Sequence, residues 1–192
     1  VIDAVGTGVS RWRVGERVTF DSTIYRLDDW YSRRGQYNLS DGREVLGVST
    51  PEFRRDGCFA EHVLIPEHVL YRVPDAVSFE HAALVEPYGV AAHAVGLAAI
   101  EPAATVVVVG CGTIGLCLVQ ILAAAGARHI VAADPDESRR RAALAMGATH
   151  EIDPLDAGDE AVRELTASLT AGRGADASFE AVGASAPLQT AI

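Results

Sequence analysis

The sequence has only three cysteines, one methionine and no long apolar run. Cys58, Cys111 and Cys117 are odd in number and lie among apolar residues or glycines. Such cysteines argue against the disulfide framework of a small secreted domain and favour a reducing cytoplasm. No apolar run reaches the roughly 18 residues that a membrane-spanning helix needs, and no signal peptide is recognisable. The composition therefore predicts a cytoplasmic protein without a membrane partner.

Basic residues are also scarce. The chain has 16 Lys and Arg against 26 Asp and Glu, so its formal net charge is −10. Three consecutive arginines at 139–141 are the one basic cluster in the sequence. Nucleic acids and anionic membranes attract proteins through positive surfaces, so we expect neither as a partner. An apolar content of 49% is typical of a globular protein.

Neither end of the sequence has the pattern of a terminus. There is no initiating Met, and residues 1–5 alternate as in the middle of a strand. Residues 188–192 have the pattern of the middle of a helix. We therefore expect the chain to be an internal piece of a longer protein.

The most informative stretch runs from residue 104 to residue 134. Four consecutive valines at 106–109 predict a parallel strand that is buried on both faces. Residues 110–115 fit the pattern G-x-G-x-x-G, and residues 116–125 predict an apolar helix. A second strand at 130–133 leads to Asp134. Strand, glycines, helix, strand and acid in this order predict a dinucleotide-binding site.

Each residue type in the glycine motif suits such a ligand. Gly110 permits a tight turn, Gly112 lets a pyrophosphate approach the backbone, and Gly115 lets the helix lie against the strand. The start of the helix, with Thr113 and Ile114, offers free N–H groups and a positive dipole end to phosphate. The alternative is a turn whose glycines bind nothing.

Asp134 determines which dinucleotide we expect. A carboxylate at the end of the second strand accepts both ribose hydroxyls of NAD and repels the 2′-phosphate of NADP. An arginine just beyond that strand can instead hold the phosphate. With Asp134 present, we expect NAD and interpret the three arginines as a solvated helix face. Arg139 is kept among the candidate cofactor-binding residues.

The first 75 residues have the pattern of a small β domain. Short apolar segments at 1–5, 59–65 and 68–73, with a turn and strand within 12–20, lie between glycines and prolines and predict a barrel-like fold. The polar segment 21–57 predicts a long irregular loop, which is usually functional or braced.

Two helices are expected to link this β domain to the nucleotide-binding part. Ser78 is a candidate cap for a helix at 79–84, and Pro87 suits the first turn of a helix at 88–97. The domain boundary falls near 74–78, and the linking helices lie within 76–103.

Strands and helices continue to alternate beyond Asp134. The sequence predicts a helix from Asp136 to Gly147, a strand at 149–152, a helix at 159–170 and a strand at 177–182. The fold class is therefore α/β, with a doubly wound parallel sheet over 104–192. A complete dinucleotide fold has about six strands, so this sheet is expected to be incomplete.

Several of these segments resemble medium-chain, zinc-dependent alcohol and polyol dehydrogenases. Residues 14–18 are similar to that family's Val-Gly-Asp-Arg-Val turn, and residues 56–61 to its Asp-Gly-Gly-Phe-Ala-Glu. Residues 84–95 are similar to the Glu-Pro segment of the sorbitol/iditol branch. The glycine motif, Asp134 and residues 179–183 fall where the family has its NAD-binding elements. The resemblance covers essentially the whole chain.

The resemblance implies a GroES-like catalytic domain over 1–75, a Rossmann domain over 104–192, and NAD and a catalytic zinc in the cleft between them. In such enzymes zinc polarises a secondary alcohol and a hydride passes to nicotinamide. Glu86 would be a zinc ligand, directly or through water, while the other ligands would lie upstream of Val1. His93 is not expected to bind zinc. The implied cofactor contacts in the last strand-to-helix turn are Ala181, Val182 and Gly183.

The family's structural zinc has no counterpart in this sequence. Its four cysteine positions are occupied by Arg26, Asp29, Ser32 and Ser40. None of these residues offers a thiolate, and Arg26 would repel a cation, so we predict no structural zinc. An ion pair between Arg26 and Asp29 is the expected partial replacement.

The leading functional expectation is an NAD-dependent dehydrogenase of a polyol, sugar alcohol or similar secondary alcohol, forming a dimer or tetramer as its relatives do. A zinc-free, NADPH-dependent quinone or enoyl reductase of the same superfamily remains open, although Asp134 and Glu86 argue against it. A nucleotide-binding protein that has lost catalysis also remains open, and the missing loop cysteines agree with it.

Overall fold

A computed structural model describes residues 1–191 apart from the side chain of Asp159. Ile192, the last residue of the helix expected at the end of the sequence, lies outside the described residues. The chain divides into two compact units, Val1–Ala83 and Leu84–Ile192. Within the described part of the chain, no helix is long and apolar enough to cross a membrane.

The first unit consists of very short strands. Strand β1 pairs antiparallel with β5, while β3 pairs antiparallel with β2 and parallel with β4. The buried apolar side chains include Trp12, whose indole N–H donates to the carbonyl oxygen of Glu67 at 3.2 Å, together with Val69 and Val73. The elements are β1 (Val18–Phe20), β2 (Thr23–Ile24), β3 (Glu44–Leu46), β4 (Arg54–Arg55), β5 (Leu70–Arg72) and helix α1 (Phe79–Ala82).

Two strands predicted in this unit are wrong. Residues 59–65 form no strand, and the side chain of Phe59 is fully exposed. Residues 1–5 also form no strand, although Ile2 exchanges backbone hydrogen bonds with Gly15 and Glu16. A suitable pattern becomes a strand only where a partner strand lies beside it, and neither segment has one in the described chain.

The prediction of an irregular loop over 21–57 is also wrong. This segment contains β2, β3, β4 and two 3-10 turns, Ser32–Arg34 and Tyr37–Leu39. Its aromatic side chains are in contact: the rings of Tyr25 and Tyr37 stack with centroids 4.7 Å apart. We therefore describe this segment as a folded lobe.

The second unit confirms the predicted α/β fold. Within the described residues its sheet has four parallel strands in the order β8-β7-β6-β9. The elements are α2 (Val85–Ala98), β6 (Thr105–Val109), α3 (Thr113–Ala124), β7 (His129–Ala133), α4 (Glu137–Ala145), β8 (His150–Ile152), α5 (Pro154–Ala157), α6 (Asp159–Leu169), β9 (Ala177–Glu180) and α7 (Ser185–Ala191).

The valine run is buried on both faces, as its pattern predicts. Val106 and Val108 pack into a core with Leu118 and Leu122 of α3. Val107 and Val109 pack on the other face, in a core that includes Val162 of α6. Helices on both faces therefore enclose β6. The glycine motif follows directly at the carboxyl end of this buried strand.

Helix α4 begins where the sequence predicts, whereas helix α2 begins earlier than predicted. Asp136 caps α4 as expected, since its carboxylate accepts hydrogen bonds from the N–H groups of Ser138 and Arg139. Helix α2, however, begins at Val85 rather than at residue 88, so Pro87 is its third residue. The first four N–H groups of a helix have no acceptor within it, so proline is tolerated there.

Candidate functional site

The strand order places a switch point between β6 and β9, at the carboxyl ends of the strands. The chain passes from β6 through α3 to β7 on one side, whereas β9 pairs with β6 on the other side. In open parallel sheets, ligands bind outside the carboxyl ends of the strands at such a switch point, next to the loops that follow the two strands. Here those loops are the glycine motif after β6 and the turn after β9.

Gly110 and Gly115 let the turn after β9 and the helix α3 approach the end of β6. Gly110 has a φ of +92°, and a Cβ added to it would lie 2.5 Å from Cγ2 of Val182. A Cβ at Gly115 would overlap the carbonyl oxygen of Gly110 and lie 2.9 Å from its carbonyl carbon. Both glycines are therefore required by close contacts, as predicted for Gly115.

Gly112 differs from its neighbours because a Cβ there would meet no atom within 4 Å. It is the N-cap residue of α3, and Thr113 after it is exposed, while Ile114 packs against the core. The first N–H groups of α3 lack acceptors within the helix and carry its positive dipole end. Open space above such N–H groups suits a phosphate.

Asp134 lies beneath this loop rather than beside open solvent. Its side chain is only 3% exposed. One carboxylate oxygen accepts from the N–H of Cys111 at 2.8 Å, and the other accepts from the N–H of Asp136 at 2.8 Å. The acid thus joins the glycine motif to the start of α4. Each carboxylate oxygen has a second lone pair that these two N–H groups do not use.

Cys111 is not a nucleophile in this arrangement. Its side chain is fully buried. Burial, and then the negative charge of Asp134, raise the pKa of the Cys111 thiol to about 12. The thiol therefore stays protonated near neutral pH, and only its backbone N–H takes part in the site.

The three arginines have three different environments, so the prediction of a uniformly solvated face is wrong. Arg140 is largely buried, and it donates to the carbonyl oxygens of Asp134 and Pro135 at 2.7 and 3.0 Å. It also pairs with Glu151 at 2.9 Å and Asp153 at 3.1 Å.

Arg139 is the arginine that remains available near the site. Its side chain is 58% exposed, and its Nη1 lies 3.9 Å from Oδ2 of Asp134. Arg141 is exposed and pairs with Glu137 one helical turn away. Arg139 alone therefore combines exposure with a position beside the buried acid.

The turn after β9 contains a contributor that the sequence analysis missed. Oε1 of Glu180 accepts from the N–H groups of Val182 and Gly183 at 2.7 and 2.8 Å. The N–H of Ala181 donates to the carbonyl oxygen of Val109 at 2.8 Å, which ties the same turn to β6. An acid directly before a strand-to-helix turn that contains glycine is the sequence signal for this role.

Glu86 lies in the first turn of α2 and is exposed. The described residues give its carboxylate no hydrogen bond or ion pair, and they contain no group of three His, Cys, Asp or Glu that could hold a metal ion. Zinc takes four ligands, so this chain supplies at most one of them. Zinc binding by Glu86 stays a prediction about the longer protein.

The four positions expected to hold cysteines in zinc-containing relatives are joined by hydrogen bonds. The Asp29 carboxylate accepts from the N–H of Ser32 at 2.8 Å and, through its other oxygen, from the hydroxyl of Ser40. The Ser40 hydroxyl in turn accepts from the N–H of Arg26 at 3.2 Å. We call these contacts the Asp29 network.

The predicted ion pair between Arg26 and Asp29 is wrong. The guanidinium of Arg26 pairs with Asp28 instead, at 2.9 and 3.1 Å. Asp29 is already satisfied by Ser32 and Ser40, whereas Asp28 is exposed beside the arginine. The Ser32 N–H, and then the Ser40 hydroxyl, hold the pKa of Asp29 below its usual value.

Comparison with known proteins identifies the family. Residues 113–192 match the zinc-binding dehydrogenases, and residues 1–75 match the alcohol dehydrogenase GroES-like domain. The chain belongs to the zinc-dependent alcohol dehydrogenases of the medium-chain dehydrogenase/reductase superfamily. This agrees with the resemblance found in the sequence.

Individual relatives match along the whole chain. Sorbitol dehydrogenase from Bacillus subtilis (strain 168) is 34% identical over 191 residues, which are 100% of this chain and 52% of that protein. (R,R)-butanediol dehydrogenase from the same organism is 36% identical over 188 residues, covering 98% and 51%. Alcohol dehydrogenase TADH from Thermus sp. ATN1 superimposes with a TM-score of 0.87 at 29% identity, covering 98% and 54%. The chain thus spans about half the length of the curated relatives it matches.

Proposed function

We propose that this chain is the cofactor-binding part of a dehydrogenase that transfers a hydride between a secondary alcohol and NAD. The observation that supports this most directly is the contrast between two glycines of one motif. Gly115 is required by the contact of α3 with β6, whereas space is open above Gly112 at the start of that helix. A residue without a side chain at an open position favours a ligand that approaches the backbone.

The residues at the switch point fit a dinucleotide. The N–H groups of Thr113 and Ile114 would bind the pyrophosphate, and the Asp134 carboxylate would accept a ribose hydroxyl through its remaining lone pairs. When bound, the nicotinamide ring accepts or donates the hydride. Asp134 and Arg139 would orient the adenosine half, since they lie together at the end of β7.

NAD is the proposed cofactor rather than NADP. A 2′-phosphate would be placed beside the carboxylate of Asp134, which two backbone N–H groups hold in position. The repulsion is only partly offset by Arg139, which already lies beside the acid.

The substrate and metal proposals concern the longer protein. Sorbitol and butanediol, after which two relatives are named, both carry hydroxyl groups on secondary carbons. We infer a polyol or diol substrate, a catalytic zinc with Glu86 as one ligand, a homo-oligomeric assembly and a cytoplasmic location. The other zinc ligands would be supplied from outside residues 1–192.

Cofactor titration of this chain tests the proposal. NADH and NADPH are added separately, and the fluorescence of the nicotinamide is followed. We expect saturable binding of both, with NADH bound more tightly. Tighter binding of NADPH would favour the zinc-free reductase, and no binding of either would contradict the proposal.

Elemental analysis of the longer protein tests the zinc assignment. We expect about one zinc per chain, because the structural site has lost its thiolates. A Glu86→Ala variant should lose zinc or activity, whereas a variant at a second exposed position of α2, His93→Ala, should lose neither. A zinc content near zero would favour the reductase or an inactive nucleotide-binding protein.

A further inference from the structure

Glu180 has a role that the sheet itself does not require. It is the last residue of β9 and lies opposite Val109 in the parallel pairing with β6. Its carboxylate folds forward, so that one oxygen accepts from two successive N–H groups, those of Val182 and Gly183. A single carboxylate oxygen therefore sets the path of the chain as it leaves the sheet.

The turn held in this way borders the glycine motif directly. The Val182 side chain lies so close to Gly110 that a Cβ on that glycine would be 2.5 Å from it. Gly183 has a φ of +81°, which favours glycine, and a Cβ there would meet no atom within 4 Å. The start of the turn is thus held against the end of β6, whereas its last residue, Gly183, faces open space.

The position of this turn determines which part of the cofactor it would meet. In the proposed function, the adenosine half lies near Asp134 at the end of β7 and the pyrophosphate lies over the start of α3. The rest of the molecule would then extend past the start of α3 towards β9, which pairs with β6 on the side away from β7. The first backbone on that side is the turn at 181–183.

The hydrogen bonds to Glu180 also determine which backbone groups of the turn are left to contact a ligand. The peptide groups are trans, so the carbonyl oxygen of each one points away from its N–H group. Glu180 takes the N–H groups of Val182 and Gly183. The carbonyl oxygens of Ala181 and Val182 are therefore directed away from the carboxylate, and they can accept from hydroxyl or amide donors.

We propose that Glu180 is a positioning residue that fixes the turn at 181–183 to receive the nicotinamide half of the cofactor. This inference rests on the proposed function. Glu180 acts through the backbone of the turn and does not itself touch the ligand. Its removal should therefore weaken binding of the whole dinucleotide but not binding of the adenosine half alone.

The test compares AMP with NADH on four variants of this chain. AMP probes only the adenosine half, and NADH probes both halves. In Glu180→Ala we expect the Kd for NADH to rise about tenfold, and the Kd for AMP to change by less than about twofold. In Glu180→Gln the amide oxygen still accepts both N–H groups, so the Kd for NADH should stay within about threefold of the unaltered chain.

Two glycine variants provide a matched pair that does not depend on Glu180. Gly183→Ala strains the same turn and should also weaken the binding of NADH more than the binding of AMP. Gly172→Ala is the control, because Gly172 has a similar φ of +89° and is equally open, but lies in the turn before β9. This variant should leave the Kd values for both ligands unchanged.

The outcomes separate this inference from the proposed function. Unaltered AMP and NADH binding in Glu180→Ala would overturn the inference alone, as would an equal loss of both ligands. Failure of Glu180→Gln to restore NADH binding would overturn it too. If the unaltered chain bound neither ligand, the proposed function would be overturned and this inference with it.

Discussion

A methyl group added at Gly115 would overlap the carbonyl oxygen of Gly110, at the point where β6 ends and α3 begins. Two residues of one short motif are therefore in direct backbone contact. Gly112, between them in sequence, touches nothing on its open side. The motif thus combines two different requirements for glycine, and they can be separated by substitution.

Gly115→Ala should destabilise the second unit by about 1–3 kcal/mol or more, because the backbone of α3 must move away from β6. Gly112→Ala should leave stability nearly unchanged, since its φ of −73° is allowed for alanine. It should instead weaken NADH binding, because the new methyl group lies where the pyrophosphate would approach. Urea unfolding and NADH titration measure the two effects, and equal stability losses in both variants would contradict this account.

Asp134→Asn should change both stability and cofactor preference. The amide cannot accept from both Cys111 and Asp136, and a buried donor facing another donor costs about 1–3 kcal/mol. Loss of the negative charge should reduce the preference for NADH over NADPH. Asp153→Asn is a suitable control, since this acid caps α5 and pairs with Arg140. It should alter stability while leaving the ratio of the two Kd values unchanged.

The Asp29 network should make the first unit sensitive to acid and insensitive to chelators. The pKa of Asp29 is lower in the folded protein than its usual value, because Ser32 and Ser40 donate to the carboxylate. The ionised carboxylate of Asp29 therefore stabilises the fold at pH values above about 4, the pKa of aspartate in the unfolded chain. This stabilisation is lost as the pH falls through the lower pKa that Asp29 has in the folded protein.

Thermal unfolding between pH 7 and pH 3 checks this expectation. Asp29→Asn should lower the melting temperature at pH 7, and the difference should shrink towards pH 3. Asp41→Asn removes an exposed carboxylate of the same lobe and should have little effect. EDTA should leave the melting temperature unchanged. A marked drop with EDTA would show that a metal holds the lobe.

Cysteine at all four positions of the lobe should create a zinc site. The contacts among Asp29, Ser32, Ser40 and the backbone of Arg26 show that these positions converge. A variant with Cys at 26, 29, 32 and 40 should retain about one zinc per chain after dialysis, because four thiolates satisfy its tetrahedral coordination. The variant that keeps Ser40 should retain less. No retained zinc in the four-cysteine chain would contradict the convergence.

Thiol labelling should distinguish the three cysteines. Cys58 is exposed, whereas Cys111 and Cys117 are buried. Burial raises the pKa of both buried thiols, that of Cys111 to about 12, so almost no Cys111 thiolate forms at pH 8. Iodoacetamide should therefore label Cys58 first, as measured by peptide mass spectrometry. In urea all three should react, and rapid labelling of Cys111 in the folded chain would contradict its burial.

The sequence predicted the second unit well because its signals are local. Four valines at 106–109 lie within β6, and the helix predicted over 116–125 is present, although α3 already begins at Thr113. Asp136 was a recognisable cap because one side chain and the next few N–H groups suffice to form it. Each of these features is complete within a few residues.

The sequence predicted distant contacts poorly. The short strands of the first unit depend on partners far along the chain, so the pattern at 59–65 was misleading. Arg140 cannot be told from its two neighbours in sequence. It differs from them because it forms ion pairs with Glu151 in β8 and with Asp153 just after it. Asp29 and Ser40 are likewise joined across 11 residues, which no local pattern indicates.

The double engagement of Asp134 has an evolutionary consequence. The carboxylate that would select the cofactor also supports the glycine motif through Cys111 and the start of α4 through Asp136. A lineage that turned towards NADP would therefore lose part of its scaffold with the acid. It would need a compensating acceptor for these two N–H groups, so a change of cofactor should require at least two substitutions acquired together.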